Sequence, residues 1–168
     1  MDFWLFIGFV VVLIAVTVFF KKNAEKRTKE LQEEQLKEEI RVFEEPAISM
    51  TPEKFFELRT NLIKNKKHLA RKADFNFAGI YILHNLTKDK HYVGQSVHVM
   101  KRVNMHFGGK RSGNKDVYKD YMKGDQWNIQ LLRLEDTRFF DLNALEKYAI
   151  KLYKGFDKGY NKTRGNKS

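Results

Sequence analysis

The chain opens with an unbroken apolar run, Phe3 to Phe20, eighteen residues without a charge. As a helix rising about 1.5 Å per residue it reaches about 27 Å, close to the roughly 30 Å hydrocarbon core of a bilayer. The pattern then inverts. Asn23 to Glu45 is dense in charge and rich in helix formers, with Glu25–Lys29 and Glu33–Lys37 at favourable i,i+4 spacing. Its apolar residues, Leu31, Leu36, Ile40 and Phe43, sustain no heptad, so the segment reads as a solvated helical stalk, at most weakly dimerising. Pro46 ends it. Thr51-Pro52-Glu53 then supplies a cap, a first-turn proline and an N-terminal acid. The helix that follows is expected to run to about Lys72, with Phe55, Leu58, Leu62 and Leu69 on one side.

After residue 76 the period shortens. Gly79–His84 and His91–Gly94 are β-rich runs flanking the polar, turn-forming stretch Asn85–Lys90, which predicts a hairpin. Val97, Met100, Val103 and Phe107 then recur near the helical period and are expected to face a core. Asn114–Gly124 reads as a helix stopped by its glycine, and Trp127–Leu134 as a third strand. Asp141–Tyr153 is a helix with Leu142, Leu145, Ala149, Ile150 and Tyr153 as its apolar stripe. Phe107, Trp127, Phe139 and Phe140 are expected in the core. The organisation is an apolar span over 1–20, a charged stalk and linker over 21–50, an amphipathic helix over 51–76 and a domain over 77–168.

Charge adds direction to this picture. Lys+Arg number 32 against 21 Asp+Glu, a net of +11. Residues 21–45 hold seven basic and eight acidic residues, whereas 46–168 hold 25 and 12. The positive field belongs to the C-terminal body, as a polyanionic ligand or an anionic lipid surface would favour. Lys21, Lys22, Lys26, Arg27 and Lys29 follow the apolar run directly, which by the positive-inside rule places the body in the cytoplasm and the N-terminus outside. With no basic n-region and no small-x-small cleavage site, the run reads as a retained single-pass anchor in an inner or plasma membrane. The chain has no cysteine, which removes disulfides, thiolate metal sites and a thiol nucleophile.

Three positions carry candidate chemistry. The hairpin bears Tyr81 on its first strand and Tyr92 on its second. Arg102 and His106, four apart, share a helix face: one offers a planar fork to phosphate oxygens, the other a group able to move protons near neutrality. Taken without the hairpin, they are an exposed arginine on a basic helix and a histidine at the core rim. Glu146 falls inside an apolar stripe, where a carboxylate is costly unless paired or bound to a cation. A boundary ion pair and a metal ligand both satisfy that. His84 and His91 read as bystanders, because zinc-type ligand spacing is missing. No second carboxylate cluster has motif spacing.

Gly79-Ile80-Tyr81, Tyr92-Val93-Gly94, the Gly94-Gln95-Ser96 step, Arg102 with His106, the phrase Leu142-Asn143-Ala144-Leu145-Glu146-Lys147-Tyr148 and the closing Gly159-Tyr160-Asn161 occur in order. Over residues 77–163 the chain resembles the GIY-YIG nuclease family. The resemblance implies an α+β domain with a small central antiparallel three-stranded sheet flanked by helices. It implies a metal-dependent DNA endonuclease hydrolysing phosphodiester bonds. Tyr81 would activate the attacking water, Tyr92 would position the phosphate or share that task, Arg102 would stabilise charge on the phosphoryl group and His106 would assist proton transfer. Glu146 would hold a single Mg²⁺ (or Mn²⁺), with Asn161 orienting the site. Ser96, Lys101, Lys110 and Arg111 are expected DNA contacts. With no appended specificity module, weak sequence preference is expected, on DNA arriving near a membrane. The rival readings are a non-catalytic nucleic-acid-binding module and a scaffold that binds anionic lipid.

Overall fold

The computed structural model describes residues 3–65, 76–109 and 113–166, with side chains from residue 16 onward. The chain divides into two compact units, Met1–Val42 and Phe43–Ser168. A single helix, α1 (Phe3–Glu44), makes up the first. Its described surface is studded with ion pairs within the helix, Lys26–Glu30 and Glu38–Arg41. Among the described residues no helix is long and apolar enough to cross a membrane. The apolar run Phe3–Phe20 falls largely on residues 1–15, whose side chains lie outside the described set.

The second unit is built on a four-stranded antiparallel sheet, one strand more than expected. The additional strand is β1 (Ile48–Met50), three residues that pair with Leu131–Ile129 at the edge of the sheet. Next comes α2 (Pro52–Lys64), started as anticipated by Thr51, whose side chain accepts the Lys54 N–H. It ends at Lys64 with Asn65 as its cap, short of Lys72. The basic stretch 66–72 lies outside the described residues. The hairpin is β2 (Gly79–Asn85) and β3 (Lys90–Ser96), in a register that sets Tyr81 opposite Gly94 and Leu83 opposite Tyr92. Helices α3 (Val99–Phe107) and α4 (Lys115–Met122) follow, then β4 (Trp127–Arg133) and α5 (Leu142–Leu152). Strand order is β1-β4-β2-β3, so β4 inserts between the N-terminal strand and the hairpin, and β3 is a free edge.

Alternation divides the sheet into two faces. Tyr81, Leu83, Trp127, Ile129 and Leu131 point to one, where Phe55 of α2, Val103 and Phe107 of α3, Val117 of α4 and Tyr160 complete a single buried cluster. Ile80, Ile82, Val93 and Leu132 point to the other, which α5 covers. On α5 the expected stripe is largely in place, with Leu145, Ala149, Ile150 and Tyr153 buried. Three expectations about core residues fail. Val97 precedes α3 and is exposed, because the helix begins two residues later. Phe140 is fully exposed and Phe139 only half-buried, because the segment after the 3-10 turn Leu134–Asp136 runs outside both faces.

Candidate active site

The free edge of β3 decides where the site forms. An edge strand leaves every second backbone group unpaired, and these must find partners. Here they are met by side chains and loop backbone from the C-terminal part of the chain. Asn161 Oδ1 accepts the Val93 N–H at 2.9 Å, and its Nδ2 donates to the Val93 carbonyl at 2.7 Å. The Tyr160 N–H donates to the His91 carbonyl. Gln95 N–H donates to Glu146 Oε1 at 3.1 Å. The side-chain amide of Gln95 closes the group, donating to Glu146 Oε2 at 3.1 Å and Asn143 Oδ1 at 2.6 Å. Asn161 uses one donor and its acceptor oxygen to hold β3, which makes it a positioning residue on the cavity wall.

These contacts leave a cavity of about 550 Å³ lined by Tyr81, Tyr92, Gly94, Gln95, Arg102, Glu146 and Asn161, with Lys115 and Lys162 at its rim. Tyr81 reaches it from the middle of β2 across Gly94. A methyl group at Gly94 would stand 2.3 Å from the Tyr81 hydroxyl, so only glycine leaves room for the phenol there. Arg102 enters from α3, and His106, one turn on, is buried behind it against the Tyr81 hydroxyl. Glu146 enters from α5 on the opposite side of the sheet edge.

Hydrogen bonding fixes the state of His106. Its Nδ1 accepts the backbone N–H of Asn114 at 2.9 Å. An amide N–H can only donate, so Nδ1 carries no proton and the neutral ring carries its proton on Nε2. Nε2 lies 3.0 Å from the Tyr81 hydroxyl oxygen and therefore donates to it. Burial, reinforced by the Arg102 charge, lowers His106 to about 3, so the neutral form persists through the physiological range. His106, expected to assist proton transfer, stands as a neutral donor to the phenol oxygen in this structure.

The two phenols are shifted in the same direction. Burial, with Tyr92 beside it, pushes Tyr81 well above the usual tyrosine value, while the Arg102 guanidinium pulls it back. Burial likewise raises Tyr92, against Arg102 and the Tyr81 hydroxyl. Both are neutral at pH 7. Arg102 also touches the Met105 sulfur at 4.0 Å, which steadies its stem.

Glu146 suits a hard divalent ion. It is buried, both oxygens are oriented by Gln95, and among the described residues no Lys or Arg forms an ion pair with it. A carboxylate with no ion-pair partner among the described residues facing a polar cavity, where the other carboxylate, Asp116, is paired with Lys162, fits Mg²⁺, which retains most of its water.

Of the expected DNA contacts, Lys101 is exposed on α3. Ser96 is half-buried and its Oγ accepts the His98 N–H, so it shapes the turn into α3. Lys110 and Arg111 lie outside the described residues. Two residues of the site carried no assigned role in the sequence reading, Gln95 and Asn114. Asn114 caps α4 by accepting the Asp116 and Val117 N–H groups, donates from Nδ2 to the Tyr160 carbonyl and fixes His106 through its backbone. An asparagine just before a helix signals the cap; the contact with His106 has no sequence signature.

The sheet with its edge-bound cavity of two phenols, a guanidinium and the carboxylates of Glu146 and Asp116, backed by the buried His106 imidazole, defines a small α+β domain equipped for phosphate chemistry. The GIY-YIG catalytic domain matches residues 77–161, and the chain belongs to that family of nucleases. Nucleases of this family are generally dependent on a divalent metal. No curated protein and no solved structure matches the chain.

Proposed function

We propose that the protein is an endonuclease that hydrolyses phosphodiester bonds in DNA, using one Mg²⁺ (or Mn²⁺) held by Glu146. The observation that carries this reading is the convergence of Tyr81, Tyr92, Arg102 and Glu146 on one polar cavity. The ion, when bound, neutralises charge on the leaving oxygen. Arg102 presents its fork to the non-bridging oxygens, where negative charge grows in the transition state. In its minor deprotonated form Tyr81 takes the proton of the attacking water at its phenolate oxygen and becomes the neutral phenol, and the His106 Nε2–H holds that oxygen and stabilises the phenolate charge. Tyr92 orients the phosphate. The basic surface of residues 46–168 binds the DNA backbone with little sequence preference.

The test is nicking of supercoiled plasmid by the full chain with and without Mg²⁺, set beside Arg102→Ala. Cleavage should require the ion. Arg102→Ala should lower turnover at least ~100-fold, with DNA affinity changed about twofold or less. Retained DNA binding with no Mg²⁺-dependent nicking by the unmodified protein would establish the non-catalytic module instead.

The pH dependence follows from the site. With His106 lowered to about 3, no break in kcat/KM arises from it between pH 5 and 8. With Tyr81 raised, its basic form grows as pH rises, so kcat/KM should climb by up to about one log unit per pH unit between 6 and 9. A break near pH 6.5 that disappears in His106→Gln would contradict the fixed-donor role.

The uncharged stretch Phe3–Phe20 and the lysines behind it support a further part of the reading: the nuclease is tethered to a membrane with its domain on the cytoplasmic side. Tethering confines a weakly specific nuclease to DNA near the bilayer, such as DNA entering from a phage. The full chain should sediment with membranes after a carbonate wash, and a chain lacking residues 1–20 should not. Release of both forms would remove the anchor from the proposal.

A further inference from the structure

The β2–β3 hairpin carries its two tyrosines on one face and a second polar group on the other. His84 and His91 are cross-strand partners. Their rings lie nearly parallel, 15° apart with centroids 3.9 Å from one another. Asp89, in the turn, adopts a left-handed backbone (φ 48°), which aspartate tolerates better than most residues. Its Oδ1 lies 2.9 Å from His84 Nε2. One ligand atom from each of the three residues lies within 4.8 Å of the other two, the one such group of His, Asp and Glu among the described residues. In the sequence these residues look like bystanders because no zinc-type spacing joins them. Strand pairing and the turn supply the proximity that linear spacing lacks.

We propose that His84, Asp89 and His91 form a binding site for a borderline transition-metal ion of the Zn²⁺ type, distinct from the position at Glu146. Two imidazole nitrogens and one carboxylate oxygen, with a fourth position open to solvent, are the ligands such an ion takes in tetrahedral geometry. Mg²⁺ prefers an all-oxygen octahedral shell and is a poor match. Bonds of about 2.0–2.1 Å hold neighbouring ligands about 3.4 Å apart. The three atoms must therefore close by roughly 1.4 Å or less, which side-chain rotation at an exposed turn can provide. Asp89 is free to move, its side chain being 89% exposed. His91 is braced, its ring packing on Tyr153 with centroids 5.1 Å apart. Alternation places the group on the side of the hairpin away from Tyr81 and Tyr92. Its role there is to clamp the hairpin that carries both phenols.

The test is titration of the untagged full chain with Zn²⁺, followed by calorimetry and thermal melting. One equivalent should bind with micromolar or tighter affinity and raise the melting temperature, and millimolar Mg²⁺ should not displace it. His84→Gln and Asp89→Asn should each weaken binding about tenfold or more. Co²⁺ in place of Zn²⁺ should give the intense visible absorption of a four-coordinate site, a readout that needs no variant. Absence of stoichiometric binding overturns the proposal. So does binding unchanged in both variants, or binding lost in Glu146→Gln and kept in Asp89→Asn, which would assign the ion to the catalytic cavity. Each readout is binding or stability, so the result stands apart from whether the protein cleaves DNA.

Discussion

Glu146→Gln is expected to abolish metal-supported cleavage while leaving the protein folded. Glutamine keeps the shape of the side chain and one acceptor oxygen, so the Gln95 N–H still finds a partner. The second contact changes: the Gln95 amide nitrogen, which now donates to Oε2, would face an amide nitrogen. A flip of Gln95 mends that pair at the expense of its bond to Asn143. Loss of one hydrogen bond costs about 1 kcal/mol, a few degrees of melting temperature in a domain of this size. Loss of the negative charge has a far larger effect on function. Asp116 also lines the cavity, but its carboxylate is engaged by the Lys162 ammonium, so it is a poor substitute for Glu146. A neutral amide binds a hard divalent ion weakly, and cleavage should fall by at least ~10³-fold at millimolar Mg²⁺. Plasmid nicking and a thermal melt decide it together: undiminished nicking sinks the metal assignment, and a collapsed melt assigns Glu146 a structural role.

How far the sequence speaks for this site depends on whether its contacts are local. The hairpin was legible, because β-rich runs around a polar turn admit one pairing. Arg102 and His106 were legible as a pair, because four residues is one helical turn. Glu146 stood out as a charge in an apolar stripe. The failures are of another kind. Strand β1 is three residues long, too short to show alternation, and it pairs with a strand some eighty positions away. Phe140 looks like core by composition, yet apolar side chains make up much of any protein surface and this one is fully exposed. The protonation state of His106 depends on a backbone amide eight residues along the chain. Asn161, expected to orient the site, lines the cavity and also completes the edge of β3, a contact across the sheet edge that no spacing in the sequence announces. The short-range chemistry was readable from spacing, and the tertiary contacts that tune it were not.

Gly94→Ala should inactivate the protein through packing alone, without touching a titratable group. The added carbon would stand 2.3 Å from the Tyr81 hydroxyl and 2.5 Å from the ring carbon that bears it. Real contacts do not come so close, so something must move. The Tyr81 ring has little space to do so: it is 1% exposed, its hydroxyl is bound to His106, and Tyr92 packs 6.1 Å away. Separating the strands breaks the ladder between Tyr81 and Gly94. Swinging the ring leaves the His106 Nε2–H buried without a partner and takes the phenol oxygen from the reacting phosphate. Overpacking and the lost hydrogen bond together cost about 2–4 kcal/mol. A phenol displaced by an ångström should lower cleavage ~100-fold or more. Gly124→Ala is the control: nothing stands within 4 Å of a carbon added there, and its φ of +88° costs only about 1 kcal/mol of strain, so cleavage should be unaffected. Adding Tyr81→Phe to Gly94→Ala separates packing from chemistry. Without the hydroxyl the closest clash is gone, while the ring carbon remains at 2.5 Å. Part of the stability should therefore return and none of the activity. A Gly94→Ala protein that nicks plasmid at the unmodified rate would show that the Tyr81 hydroxyl over Gly94 is not where the chemistry happens.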